Sequence, residues 1–548
     1  MSKELKIIPL GGLGEIGKNM TIIEYGRNQI IVDCGVMFPE NDMYGIDLVL
    51  PQFDYVVENQ GHLRGIVLTH GHQDHIGGLP FLLQRLSVPS TGVPIYGTAL
   101  TLGMVRRKLV EAGLADRARL QVIDDKQTVS LGPFRVSPFA VAHSIPAAVG
   151  LVIDTPVGAI VHTGDYKLDE TPAGGHKTDF DRMKKLTPNG VLAMLADSTN
   201  ADRPGRTPTE QLVADTLDEL FAQADGRRII IATFSSVLAR LQEIMRLAHK
   251  YGRKVALTGR SLQQNVELAR DLGYLEVPKG LLVDIRGKTP DAKLVVLATG
   301  SQGEPRSALN RMARGEHRQV QVHKGDTIII SGGTIPGNEE DVGRMLNHLF
   351  ALGADVIYGR LATVHVSGHG SREDMRIMLE RVRPRFLIPV HGETRHLHLH
   401  ARLAQESGHA VDDVFILRNG AAWATDGQKA WLEEDVLAED VYVDGSLVGE
   451  IGQRVMRDRE RLSQDGFVVA YVPVDKRRKL AGEPRLLSRG FLHMESSAGL
   501  MAAAQAELKR DLRRNGRDHN QTVRETLEKF FYRETQSRPV ILPNIVRV

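Results

Sequence analysis

The strongest constraint on this chain is the segment Thr69-His70-Gly71-His72-Gln73-Asp74-His75. It packs four metal-ligand side chains into six residues, directly after the strand-like run GIVL. On extended backbone, residues two apart project to the same side. His70 and His72 can therefore grip one ion, while Asp74 and His75, past the bend, can face a second. Such a loop needs partners from distant parts of the chain. Three candidates each sit in a Gly- or Pro-flanked loop after a β run: His143 (AVAHSIP), Asp165 (VHTGDYK) and His391 (IPVHGE). Taken singly, each reads as an ordinary structural residue. As a set they supply two ligand groups, with His70, His72 and His143 on one ion and Asp74, His75 and His391 on the other. Asp165 bridges them. Imidazole and carboxylate suit zinc best, and manganese or magnesium where oxygen ligands dominate. Metals roughly 3.5–4 Å apart can share a hydroxide and neutralise charge developing on a phosphoryl group. A single-metal site and a chance polar cluster are the competing readings. Asp33, ending the strand QIIVD, is either an outer partner orienting a ligating His or a turn residue.

Composition narrows the class. The 548 residues suggest three or four domains. With 42% hydrophobic and 25% charged residues, collagen-like, coiled-coil and wholly disordered chains are excluded. A formal net charge of +2 argues against a strongly basic nucleic-acid coat but leaves local basic grooves open. Cys34 is the one cysteine, so neither an intrachain disulfide nor a Cys-rich zinc finger can form. No run reaches the roughly 18 apolar residues of a membrane span. The opening MSKELKIIPLGG lacks an apolar signal core. The expectation is a protein of a reducing compartment, a cytoplasm, with no membrane partner.

The rhythm of the chain divides it. Residues 1–205 read as a strand-rich layer with helices between. Over 206–358, strand and helix alternate (GRRIIIATF, SVLARLQEIMRLAHKYG, KVALTG, LVVLATG, DTIIISGG), the pattern of a parallel βαβ sheet. Strand-rich sequence with His-rich loops returns over 359–440, 441–463 reads as a linker or connecting helix, and 464–548 as a small α/β domain.

A second constellation is His365-Val366-Ser367-Gly368-His369-Gly370-Ser371. Two His, two Ser and Gly-exposed amides ahead of a helix suit phosphate capture. In the alternating region, Ser235 and Ser236 either cap the following helix or bind a terminal phosphate. Phe234 either stacks on a base or belongs to the core. Gly12-Leu13-Gly14-Glu15-Ile16-Gly17 fits GxGxxG, but the following NMTIIEY reads as a strand where a dinucleotide site needs a helix. A loop edging the metal cleft is the better reading. The basic runs Lys476–Lys479 and Lys509, Arg510, Arg513, Arg514 and Arg517 either extend a nucleic-acid track or form solvated faces.

HxHxDH, then a lone His, a lone Asp and a late His is the order of the metallo-β-lactamase superfamily. The insertion before His391 resembles the β-CASP domain of its nucleic-acid-processing members. GGLGEIGKN, GDYKLDETP, ADSTN, ATGSQGEP, TIPGNE and HVSGHGS resemble the ribonuclease J family, over nearly the whole chain. That resemblance implies an α/β fold: a metallo-β-lactamase αββα sandwich, an inserted β-CASP α/β domain and a small C-terminal α/β domain. It implies a ribonuclease with two divalent ions per subunit, acting on single-stranded RNA as endonuclease and 5′-3′ exonuclease, preferring 5′-monophosphorylated ends. Messenger decay and ribosomal RNA maturation follow as roles, with a homodimer or dimer of dimers and RNA-decay complex partners. By the same resemblance, His369 assists the leaving 3′-oxygen, Asp197 orients a histidine near the metals, and Asp165 holds them. His365, Ser367, Gly368 and Ser371 hold a phosphate. The family's Asn-Val-His after the serine is replaced here by Val237-Leu238-Ala239, so contacts from those positions do not carry over. Rival readings are a DNA-directed β-CASP repair nuclease, a small-molecule metallo-hydrolase such as a thioesterase, and a catalytically silent scaffold of an RNA-decay complex.

Overall fold

The computed structural model describes residues 4–87, 92–172, 176–335, 337–410, 413–492, 497–514 and 518–548, in two compact units. The first unit, residues 1–38 and 49–440, contains three large sheets.

Two of these sheets sandwich one core. The first has eight strands and is antiparallel around Leu5–Gly11, Met20–Tyr25 and Asn28–Val32. It turns parallel through Leu63–Val67, Val93–Gly97 and Ala118–Val122. The second has six strands, with Ala193–Asp197 and Phe386–Val390 parallel at one side. Ile7, Ile23, Ile30, Val67 and Trp423 from the first meet Phe134, Leu151, Ile160 and Leu195 from the second in a single cluster. Helix Ala99–Glu111 packs on Val93–Gly97 and Ala118–Val122. Helix Phe180–Leu186 packs on Phe134–Ala140, and helix Thr394–Glu406 on Phe386–Val390. Apolar residues fill these strands on both faces because both are covered. This is the αββα sandwich the sequence implied.

The third sheet is five-stranded and all parallel, in the order Lys254–Thr258, Leu294–Ala298, Ile229–Thr233, Thr327–Ser331, Asp355–Ile357. Its strands are short β-branched runs joined by amphipathic helices such as Leu238–Lys250, and the helix Glu210–Gln223, whose N-cap Thr209 accepts from the Gln211 amide, leads into the first of them. Ligand-facing loops in such sheets leave from the carboxyl ends of the strands. Phe234 and Gly332 stand just past two of those ends.

The second unit comprises residues 39–48 and 441–548. Its sheet has Phe467–Val474 at the centre, antiparallel to Arg485–Arg489 and parallel to Val540–Arg547. Leu508, Val523, Leu527 and Phe531 of two helices close its core. The stretch 441–463 is more ordered than a linker. Val441–Asp444 pairs with Leu447–Val448, and Gln453–Asp465 is a helix. That helix buries none of its residues and matches the connecting-helix alternative read from the sequence. Among the basic residues singled out in the sequence, Lys509 pairs with Glu483, and Arg510 with Glu507 and Asp511. Arg517 lies outside the described residues.

Candidate metal centre

The strand Leu63–Val67 ends where Thr69 begins the ligand loop, and a four-residue helix, Gln73–Ile76, turns Asp74 and His75 away from His70 and His72. The strand Gly158–His162 delivers Asp165, and Phe386–Val390 delivers His391, held at a φ of 54°. A residue other than glycine in that left-handed region is uncommon and marks a constrained position.

These distant segments converge on two donor groups that share one atom. In the first, His72 Nδ1 lies 3.0 Å from His70 Nε2 and 3.2 Å from His143 Nε2. Asp165 Oδ2 stands 3.5 and 3.8 Å from the latter two nitrogens. In the second, the same Asp165 Oδ2 lies 3.2 Å from His75 Nε2 and 3.5 Å from His391 Nε2. Asp74 Oδ2 stands 3.6 and 3.3 Å from those nitrogens. Tetrahedral zinc with bonds near 2.0 Å spaces its donors about 3.3 Å apart. The residues present therefore fit a pair of divalent cations bridged by Asp165.

Four of the five rings are aimed by a partner on the other nitrogen. His75 Nδ1 donates to Asp33 Oδ2 at 2.8 Å. Thr69 Oγ1 donates to the same carboxylate at 2.8 Å and lies 3.0 Å from His70 Nδ1. On the opposite side, Thr199 Oγ1 lies 2.7 Å from His391 Nδ1 and donates to Asp197 Oδ1 at 2.7 Å. His143 Nδ1 donates to the Gly368 carbonyl at 2.8 Å. Two His–Thr–Asp chains thus flank the centre. Such outer contacts fix the ring orientation and tautomer a metal needs. Sequence reasoning found Asp33 and Asp197 but missed both threonines. A hydroxyl beside a ligand has no spacing signature, although Thr199 lies inside the ADSTN fragment. It missed Asn19 too, whose Nδ2 donates to the Asp74 carbonyl at 3.2 Å and lies 3.2 Å from His75 Nε2.

The electrostatics are those of a cation site. Asp33, Asp165 and Asp197 are buried among imidazoles, and isolated buried carboxylates are costly. Burial opposes ionisation of Asp165, but charge on His391 and His75 outweighs it and holds the carboxyl well below the usual range. Burial also opposes charge on His391, yet Asp165, the Asp74 hydrogen bond and Asp197 lift the ring to about 9. His72 and His143, with weaker carboxylate support, are pushed by burial to about 4 and about 3.

His369 stands at the rim. Its Nδ1 lies 2.8 Å from Asp197 Oδ2 and its Nε2 4.0 Å from Asp165 Oδ2. Asn200 Nδ2 fixes this turn by donating to Ser367 Oγ at 2.8 Å and to the His369 carbonyl at 3.0 Å.

The remaining phosphate candidates separate. His365 is half-buried, with Nδ1 2.9 Å from Arg240 Nη1. Gly368 has no room for a side chain, since a Cβ would stand 2.7 Å from His143 Cε1. Ser371 is engaged elsewhere. It is the buried N-cap of Arg372–Val382, its hydroxyl 3.0 Å from Thr207 Oγ1 and its amide donating to Asp374. The structure thus places Ser371 in a helix cap, not open to a phosphate. Capping by Ser235 or Ser236 is also corrected. Helix Leu238–Lys250 starts at N-cap Val237 without a side-chain cap, and Ser235 Oγ accepts from Asn265 Nδ2 at 3.1 Å. Phe234 is half-buried, near the point where a Cβ on Gly332 would stand. The GxGxxG loop leads into strand Met20–Tyr25, with no helix to receive a pyrophosphate.

Comparison with known proteins matches residues 13–197 to the metallo-β-lactamase superfamily and 226–349 to the ribonuclease J β-CASP domain. Residues 355–417 match the Zn-dependent metallo-hydrolase RNA specificity domain, and 454–548 the ribonuclease J C-terminal domain. Ribonuclease J2 of Bacillus subtilis is 39% identical over 100% of this chain and 99% of its own length. Ribonuclease J 1 of Streptococcus pyogenes is 40% identical, over 99% of this chain and 98% of its own. Ribonuclease J of Thermus thermophilus is 40% identical, over 99% and 95%. A crystal structure of a protein of unknown function from Enterococcus faecalis V583 superposes with a TM-score of 0.53 at 15% identity. It covers 77% of this chain and 100% of that one, a likeness of fold alone.

Proposed function

Because this chain belongs to the ribonuclease J family, a family of metal-dependent RNA nucleases, we propose that it cuts single-stranded RNA at the centre described above. It works both internally and from the 5′ end, prefers a 5′-monophosphate, and leaves 5′-phosphate and 3′-hydroxyl products. Messenger decay and ribosomal RNA maturation in the cytoplasm, as a homodimer or dimer of dimers within an RNA-decay complex, complete the reading. Among the described residues, no helix is long and apolar enough to cross a membrane.

The observation that carries the proposal is the sharing of Asp165 Oδ2 between two donor groups, with His369 facing the same atom. Divalent cations held there, zinc by the preference of the donors, supply charge to the phosphoryl oxygens and lower the pKa of the attacking water. The chain's own residues do the rest. His70, His72 and His143 fix one side, and Asp74, His75 and His391 the other. Asp33 and Thr199 hold the rings that would otherwise rotate. Asp197 accepts from His369 Nδ1 and, with Asp165, favours the doubly protonated ring, whose Nε2 proton faces the cleft and can pass to the leaving 3′-oxygen. His365 and Ser367 receive the neighbouring phosphate, the His as a hydrogen-bond donor at Nε2. Phe234 offers a face to a base.

The test is digestion of 5′-monophosphorylated, 5′-triphosphorylated and circular RNA, beside DNA of matched sequence, with metal analysis of the same preparation. Fastest loss of the monophosphorylated RNA, with slower cutting of the circle, is expected. Preference for DNA, or no cleavage by metal-loaded protein, overturns the proposal.

A further inference from the structure

A buried ion pair next to His365 has no part in the chemistry above. Arg240, in the first turn of helix Leu238–Lys250, is 2% exposed. Its Nη2 donates to both oxygens of Glu210 at 3.0 and 2.9 Å. Its Nη1 donates to the Ser331 carbonyl at 3.0 Å and lies 2.9 Å from His365 Nδ1. Ser331 Oγ in turn donates to the Val364 carbonyl at 2.7 Å, tying the strand end to the turn that carries His365.

A guanidinium has donors only. His365 Nδ1 must therefore accept, and the neutral ring carries its single proton on Nε2. Among the described residues no hydrogen bond engages Nε2, and only a glycine backbone fits beside that edge. The point where a Cβ on residue 333 would stand is 2.9 Å from both Nε2 and Cδ2, and residue 333 is glycine. Burial, followed by the nearby Arg240, Lys167 and Arg203 charges, keeps the ring neutral.

We propose that Arg240, held in place by Glu210, is a positioning residue that locks His365 in the Nε2–H tautomer, so that the terminal phosphate of RNA meets a fixed neutral donor. A ring already in its binding tautomer pays nothing to select it on association. The proposal rests on the assignment of His365 to the phosphate neighbouring the scissile one, which is the 5′-terminal phosphate when the first nucleotide is removed.

Side-chain amides separate the two ring nitrogens. Glutamine places a donor near the position of Nε2, and asparagine near that of Nδ1. The readout is the ratio of kcat/KM on 5′-monophosphorylated over 5′-hydroxyl RNA of one sequence. His365→Gln is expected to keep this ratio within about threefold of the unmodified enzyme, and His365→Asn to bring it near one. If glutamine does not outperform asparagine, the lock is overturned. A second arm removes both members of the buried pair, Glu210→Met with Arg240→Met, so that no lone charge stays buried. The ratio should fall when His365 is present and stay unchanged in the His365→Gln background. An equal fall in both backgrounds means a merely structural pair and overturns the proposal. ¹⁵N spectra of the histidine-labelled protein, with His365 assigned by its substitution, report the tautomer without RNA. A protonated Nε2 and bare Nδ1 are expected, and the reverse overturns the lock. A ratio of one in the unmodified enzyme with the expected tautomer present instead sinks the terminal-phosphate reading alone.

Discussion

Asp197 Oδ2 stands 2.8 Å from His369 Nδ1, while Nε2 of the same ring points toward Asp165, 4.0 Å away. Burial opposes charge on this ring, but Asp197 and Asp165 outweigh it and raise its pKa. A raised acid stays protonated to higher pH, so activity should fall only as pH climbs through that raised value. Asp197→Asn removes the largest support for the protonated form. The alkaline limb of the kcat profile should then move to lower pH, and His369→Ala should lose about 10²–10⁴-fold in kcat at neutral pH. Profiles of both variants on one RNA check this. An unmoved alkaline limb in Asp197→Asn removes the role given to the pair.

The carboxylate of Asp33 touches no substrate, yet it anchors His75 directly and His70 through Thr69. Asp33→Asn should weaken metal binding by about 10–100-fold, as outer-partner losses do. Thr199→Val should act similarly through His391. Competition titrations against a chelating dye measure both.

Proton release should accompany metal uptake. Metal-ligating rings must be neutral, whereas His391 in the metal-free protein titrates at about 9. Apparent affinity should therefore fall as pH drops below 9, about tenfold per pH unit for each proton displaced. Titration calorimetry in buffers of different ionisation enthalpy counts those protons. The sign reverses for folding of the chelated protein through His72 and His143, which titrate at about 4 and about 3. Their depressed values add stability above the unfolded histidine value of about 6.5. That stability is lost as pH falls from there toward 4 and 3. A melting series from pH 7 to 4 in chelator should show the decline.

Gly368 offers a purely steric test. A methyl group there would press on His143 Cε1 at 2.7 Å and Ser144 Cβ at 3.0 Å. Gly368→Ala should leave the melting temperature nearly unchanged while displacing His143 and lowering metal occupancy and cleavage together. Normal occupancy with lost cleavage would assign Gly368 to the substrate instead.

Much of this molecule is legible in its sequence because the strands are short β-branched runs and the ligand loops sit at their ends. What escapes is whatever depends on a partner far along the chain. Ser371 and Ser235 both precede a helix, so sequence cannot tell a cap from a phosphate ligand. Only Thr207 and Asp374 near the first, and Asn265 near the second, decide their roles. Thr199 and Thr69 orient ligands with a single oxygen each, a role any hydroxyl could fill.

The central claim is that one carboxylate, Asp165, joins two metal sites. Anomalous difference maps from crystals grown with zinc, recorded on both sides of its absorption edge, test it directly. The account predicts two peaks roughly 3.5–4 Å apart, one among His70, His72 and His143 and one among Asp74, His75 and His391, both within bonding distance of Asp165. A single peak, or two peaks of which one lies away from Asp165, contradicts it.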